Sequence, residues 1–179
     1  MSAETTEVLP VEDCLRLDVI SPLDGSVLKS VDVADSNAVD ETVQQAAVAF
    51  DSWAATPIRD RVQVLSTFKR KVEEDLPQLS EIISKENGKT QSEASDEVKR
   101  GLEIVDFAIS IPHLGLDNTL EVSRGVRCQS EHAPLGVTLG ITPFNFPAMV
   151  PMWMFPISIA CGNSFVLKPS EQTPLAALR

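Results

Sequence analysis

Two kinds of hydrophobic spacing divide the chain. Leu15-Arg16-Leu17-Asp18-Val19-Ile20 steps between apolar and polar positions, Ser21-Pro22-Leu23-Asp24-Gly25 supplies a turn, and Val27-Leu28-Lys29-Ser30-Val31 follows. Residues 15–31 therefore predict a β-hairpin, since Pro presets φ and Gly accepts positive φ in the turn. After Asp35 or Ser36, either a good N-cap, the period lengthens, and Val39, Val43, Ala46, Ala47, Phe50 and Trp53 fall on one helical stripe. Thr56-Pro57 opens a second helix with Pro at its first position, carried by Ile58, Val62, Leu65, Phe68 and Val72 until Pro77 bends or breaks it. Leu79, Ile82 and Ile83 lead to Asn87-Gly88, a left-handed stop signal. A fourth helix is expected from about 95 to 110, with Val98, Leu102, Val105 and Ile109 inward and Asp96, Lys99 and Glu103 outward.

The last sixty residues change style. Val122, Arg124, Val126, Cys128 and Ser130 suggest an extended ribbon that ends near Pro134. The short, β-branched run Gly136–Thr142 reads as a fully covered parallel strand. A Pro-rich loop, an apolar helix from about 148 to 160 and a Cys161-Gly162-Asn163 stop lead to a second buried strand, Ser164–Lys168. Strand, crossover helix and strand make a right-handed βαβ unit, so the predicted class is α/β. Met149, Met152, Trp153, Met154 and Phe155 are accounted for as core of a sandwiched crossover helix.

Charge sharpens this picture. The 179 residues hold 26 acidic and 15 basic side chains, a net charge of −11. That balance argues against a nucleic-acid partner, which demands a cationic face. Ten acids and two bases fall in the first fifty residues, whereas no charged residue lies between Glu131 and Lys168. A membrane helix needs about 20 consecutive apolar residues, and Pro143, Pro147, Pro151 and Pro156 break this neutral run. The leading Met1–Glu7 segment has neither a basic nor an apolar leader region, so it reads as a frayed polar terminus of a cytoplasmic protein. Cys14, Cys128 and Cys161 lack metal-site or disulfide-framework spacing and are expected to be buried, inert thiols in a reducing compartment. His113 and His132 form no HxxxH pair, and neither a Gly-x-Ser-x-Gly elbow nor a G-x-G-x-x-G fingerprint is present.

Ile141-Thr142-Pro143-Phe144-Asn145-Phe146-Pro147, with Lys168-Pro169-Ser170-Glu171-Gln172-Thr173-Pro174 downstream, resembles the aldehyde dehydrogenase superfamily. The string from Pro143 to Pro156, with Phe144 where most branches carry Trp, is most like the CoA-acylating methylmalonate-semialdehyde dehydrogenase branch. The Ser21–Gly25 turn, Glu86-Asn87-Gly88-Lys89-Thr90 and Arg100-Gly101-Leu102-Glu103 fit the same resemblance. It implies an α/β fold with an NAD-binding domain, a catalytic domain and an oligomerisation ribbon. Residues 1–119 would be the hairpin and helical part of the NAD-binding domain, 120–134 the ribbon, and 135–179 the first βαβ of a Rossmann-like sheet. The implied reaction is NAD-dependent oxidation of methylmalonate or malonate semialdehyde, with CoA as acyl acceptor, in a homodimer or homotetramer.

Residue by residue, the resemblance gives Asn145 the oxyanion-hole role, which its amide can perform by donating to a carbonyl oxygen that gains negative charge. From the residues alone, an Asn that merely ties down a Pro-rich loop is the readier account. Positions matching Lys168 and Glu171 hold the adenosine ribose of NAD, and those matching Thr142, Phe144 and Gln172 line the cofactor; the plain alternative for Lys168 and Glu171 is a surface ion pair. Ala is more usual at Thr142 and Arg at Gln172, which puts the adenosine contacts in doubt. The resemblance places a carboxylate-binding guanidinium at Arg100, where a solvated helix residue is otherwise expected. The family's nucleophile is a Cys thiolate, and none of the three cysteines matches its position. The chain therefore reads as the N-terminal portion of an enzyme. On its own it is expected to be inactive and to fold poorly or aggregate, because two strands fall short of a stable sheet. The rivals are an aldehyde dehydrogenase of other specificity and a non-catalytic module that docks through the ribbon.

Overall fold

A computed structural model describes residues 15–115 and 117–179, and residues 1–14, including Cys14 and the polar leading segment, lie outside it. Its first element is the expected hairpin. Strands β1 (Arg16–Ile20) and β2 (Val27–Asp32) pair antiparallel, with Leu17 opposite Val31 and Val19 opposite Lys29. Gly25 takes φ 73° in the turn, a conformation that costs Gly nothing.

Four helices follow. In α1 (Ser36–Ala54), Asp35 caps the start by accepting from the Ala38 amide at 2.7 Å. Its stripe is only partly used: Ala46, Phe50 and Trp53 are half-buried, whereas Val39 and Val43 stay exposed. Helix α2 (Ile58–Glu74) has Pro57 as N-cap, one position before the expected place. Pro77 does not bend it. Instead α2 ends at Glu74 with Asp75 as its C-cap, and Pro77 occupies the first turn of α3 (Leu76–Asn87), where a missing N–H is harmless. Gly88 closes α3 with φ 81°, the left-handed cap that the Asn-Gly pair predicts. Helix α4 (Gln91–Ser110) starts four residues earlier than its apolar pattern, because Thr90 and Glu93 form a reciprocal capping box.

The core lies where α2, α3 and α4 meet α5 (Met149–Ala160). Leu65, Val72, Leu79, Ile83, Val98, Leu102, Val105 and Met152 are all buried there. Close approach of α4 and α5 depends on Gly101, where an added Cβ would stand 2.4 Å from Met152 Cε and 3.2 Å from its Cβ. Arg61 closes the far end. Its buried guanidinium donates to the carbonyls of Ala54, Thr56 and Ala160, near the C-terminal ends of α1 and α5.

Strands β3 (Asn118–Ser123) and β4 (Val126–Ser130) form an antiparallel ribbon, all of it exposed. It starts four residues before Val122 and turns at Gly125, φ 73°. Cys128 on this ribbon is exposed, contrary to the expected buried thiol, because neither face of β4 is covered; Cys161 caps α5 and is half-buried.

The βαβ unit is present as predicted: β5 (Val137–Ile141), α5 and β6 (Ser164–Lys168), with the two strands parallel and Leu139 opposite Val166. Its covering is not as predicted. Val137, Leu139 and Ile141 are 38%, 62% and 64% exposed, since alternate side chains of β5 point to a face without a layer. Helix α5 does pack between α2 and α4 on one side and the two strands on the other, Phe155 meeting both Phe68 and Phe165, but Trp153 and Met154 stay exposed. Residues after Pro174 make a single helical turn, closed by Leu178 N–H donating to Pro174 O at 3.0 Å. Among the described residues, no helix is long and apolar enough to cross a membrane.

Replacing Gly101 by Val is expected to destabilise the protein by about 1–3 kcal/mol, the usual cost of overpacking a tight helix crossing. A lower urea midpoint with an unchanged slope of the transition checks this.

Candidate active site

The site begins where β5 ends. Thr142, only 5% exposed, donates its backbone N–H to Lys168 O at 3.2 Å, so both strand ends are held level. Proline at positions 143 and 147 then prevents the intervening backbone from continuing as strand or helix. The loop must find partners elsewhere, and it finds them on the segment that joins α3 to α4.

Asn87 Nδ2 and Thr173 Oγ1 both donate to Phe144 O, at 2.8 and 3.0 Å. Lys89 Nζ donates to Asn145 O at 2.5 Å and lies 4.2 Å from the centroid of the Phe146 ring, a cation–π distance. The same ammonium pairs with Glu97 Oε2 at 2.5 Å. Glu97 is 3% exposed, and its Oε1 accepts from the amides of Ala148 and Met149, at 2.9 and 3.2 Å, at the start of α5. A carboxylate there meets the unpaired amides of a helix N-terminus and so recovers part of its lost hydration.

A second buried acid lies beside the first. Glu86, 3% exposed, accepts from Leu175 N at 2.7 Å and Ala176 N at 3.0 Å. Burial pushes its carboxyl above the ordinary 4.5; the two amide bonds pull it back, and the charge of Glu97 adds to the rise.

These ties shape an open cleft of about 630 Å³ lined by Phe144, Asn145, Glu171, Gln172, Thr173 and Lys89, with β1 on its opposite wall. Four of the predicted site residues thus meet: Phe144, Asn145, Glu171 and Gln172. Asn145 is exposed, and its side-chain amide makes no hydrogen bond among the described residues. Lys168 stands behind Glu171, joined to it at 2.9 Å on the surface, the geometry of the plain ion pair. That hydrogen bond, ahead of the Glu171 backbone amide and the charge of Lys168, holds the Glu171 carboxyl below its usual value. Thr142 is buried behind the loop and does not line the cleft. Arg100 is exposed on α4, three residues beyond Glu97, and lies outside the cleft lining.

Lys89, Glu97, Glu86 and Asn87 are the residues that sequence reasoning passed over. One signal was available. Ala94, Val98, Gly101, Leu102 and Val105 form the buried stripe of α4, and Glu97 falls within it. An acid on an apolar stripe requires a buried partner.

With this geometry in place, comparison with known proteins is decisive. The pattern of the aldehyde dehydrogenase family matches residues 11–179. The chain belongs to the aldehyde dehydrogenase family. It is 43% identical over 162 residues to malonate-semialdehyde dehydrogenase of Pseudomonas aeruginosa PAO1, which covers 90% of this chain and 33% of that protein. A methylmalonate-semialdehyde dehydrogenase structure from Oceanimonas doudoroffii superposes with TM-score 0.90 and 40% identity, over 96% of this chain and 35% of that one. A structure from Sinorhizobium meliloti 1021, named for the same activity and complexed with NAD, gives TM-score 0.89 and 38% identity over the same shares. The chain spans about a third of the length of these aldehyde dehydrogenase relatives. Its mixed α/β architecture is therefore the family's, as the loop motifs implied.

The buried Glu86 gives this family member a pH signature. The unfolded group ionises near 4.5 and the folded group higher. Between those values the folded state retains more protons, so this group makes stability fall as pH rises through the window. Glu86→Gln is expected to remove that fall, beside a constant loss of about 1 kcal/mol for the amide it no longer serves. Urea midpoints of both proteins, followed from pH 4.5 upward, check the difference.

Proposed function

We propose that the chain forms part of an NAD-dependent, CoA-acylating dehydrogenase that oxidises methylmalonate or malonate semialdehyde. The observation that carries this reading is the convergence of Phe144, Asn145, Glu171 and Gln172 on one cleft beside the C-terminal ends of two parallel strands. Open α/β sheets place their ligand crevices there. The names of the malonate-semialdehyde and methylmalonate-semialdehyde relatives support the substrate class.

The residues present fit NAD. Glu171 offers an exposed, ionised carboxylate that can accept from ribose hydroxyls, and Lys168 offers a donor beside it. Phe144, half-exposed on the rim, and Gln172 would line the cofactor, with Thr142 fixing the strand end beneath. When bound, NAD supplies the hydride acceptor. Asn145 would donate its side-chain N–H to the aldehyde oxygen as negative charge gathers there, and among the described residues no other hydrogen bond occupies that donor. None of the residues lining the cleft is a cysteine. The thiol that receives the acyl group before CoA takes it would come from another part of the enzyme, as would the remaining sheet.

In this reading residues 1–119 and 135–179 belong to the cofactor-binding domain and 120–134 to a ribbon that joins subunits of a homo-oligomer; full exposure of both ribbon strands supports that role. The same reading sets the enzyme in the cytoplasm. Arg100 would hold the substrate carboxylate. Its exposure outside the cleft favours the rival, an aldehyde dehydrogenase of different specificity. The two readings part in the complete enzyme. Asn145→Ala is expected to lower kcat about 100- to 1000-fold for every aldehyde, whereas Arg100→Ala is expected to weaken only carboxylate-bearing aldehydes. Steady-state NADH formation with semialdehyde and uncharged aldehyde measures both; unchanged kinetics in the Arg100 variant would transfer the chain to the rival.

A further inference from the structure

The Asn145 side chain has no hydrogen bond of its own among the described residues, so its backbone alone aims it. That backbone is clasped at both ends by one charge pair. Lys89 takes the carbonyl of Asn145 at the start of the turn, and Glu97 takes the amides of Ala148 and Met149 at its close. Between them the ammonium and carboxylate meet at 2.5 Å with side chains 18% and 1% exposed. A compact ammonium can serve three partners set around it, here the Asn145 carbonyl, the Glu97 carboxylate and the Phe146 ring. Removal of the cation would leave Glu97 buried without a counter-ion and release the Asn145 carbonyl, although Asn87 and Thr173 would still hold the carbonyl of Phe144.

We propose that Lys89 and Glu97 are positioning residues, whose buried pair fixes the direction from which the Asn145 amide donates to the developing oxyanion. The proposal rests on the reading of Asn145 given above. Donors of this kind lower the barrier because they need no reorganisation at the moment of reaction, so a group that holds the donor still contributes to rate without touching substrate. The pair lies on two consecutive elements, the α3–α4 connection and α4, while the donor lies on the loop after β5.

A double-mutant cycle in the complete enzyme tests this, with kcat expressed per folded subunit. In the parent enzyme Lys89→Met is expected to lower kcat by up to about 100-fold, the scale set by misplacing a catalytic group by about 1 Å. In an Asn145→Ala background the same substitution is expected to change kcat by less than about twofold, because residues that act as a unit are not additive. Amide hydrogen exchange at Ala148 and Met149 is expected to quicken on Lys89→Met in both backgrounds, which reports the loosened clasp independently of activity. An equal loss of kcat in both backgrounds, or an unchanged kcat in Lys89→Met alone, would overturn the proposal. A parental kcat in Asn145→Ala would instead overturn the reading of Asn145, and with it the role given to the pair.

Discussion

The candidate site depends on a carboxylate that has almost lost contact with water. Glu97 survives inside the helical layer because three donors converge on it, two amides of α5 and the ammonium of Lys89. Each donor sits on a different piece of structure from Glu97 itself. Burying the acid therefore fixes where α5 begins, where the α3–α4 connection lies, and how the Pro-rich loop crosses between them. Close contact of Gly101 with Met152 one turn further along α4 sets the depth of the same crossing. Packing brings the helices together; the acid decides their register.

Glu86, on the preceding helix α3, does the same without a cation, accepting two amides of the turn after Pro174. Two buried acids, each at the start of a helical turn, thus hold the segments on either side of the cleft. Their order along the chain, within one stretch from α3 to α4, makes that stretch the frame on which the loops after β5 and β6 are mounted.

Element types were legible in the sequence because each was announced locally. Asn87-Gly88 marked a helix end and Gly88 takes the left-handed cap; the neutral run from Gly136 to Lys168 resolved into strand, helix and strand. Boundaries failed where a polar device, not a hydrophobic period, set them: the Thr90–Glu93 box extends α4, and Pro77 begins a helix where it was expected to bend one. Burial was misjudged for β5 and α1 because periodicity says which face is apolar and not whether anything covers it. Phe144, Asn145, Glu171 and Gln172 are singled out by a family motif, and they line one cleft. Lys89 and Glu97 are not legible locally because their contacts to the loop span 56 and 51 residues of chain, respectively.

Arg61 is the buried cation of the described residues, and unlike Glu97 with its Lys89 ammonium it has no counter-ion: its partners are three neutral carbonyls. Oriented peptide dipoles, unlike counter-ions, cannot be displaced by dissolved salt or neutralised by protonation. The exposed pairs Arg16–Asp32 and Lys168–Glu171 lose strength as ionic strength rises. The corner where α1 meets the end of α5 does not share that dependence, so brine would slacken the rim of the molecule while its hinge of carbonyls and guanidinium held.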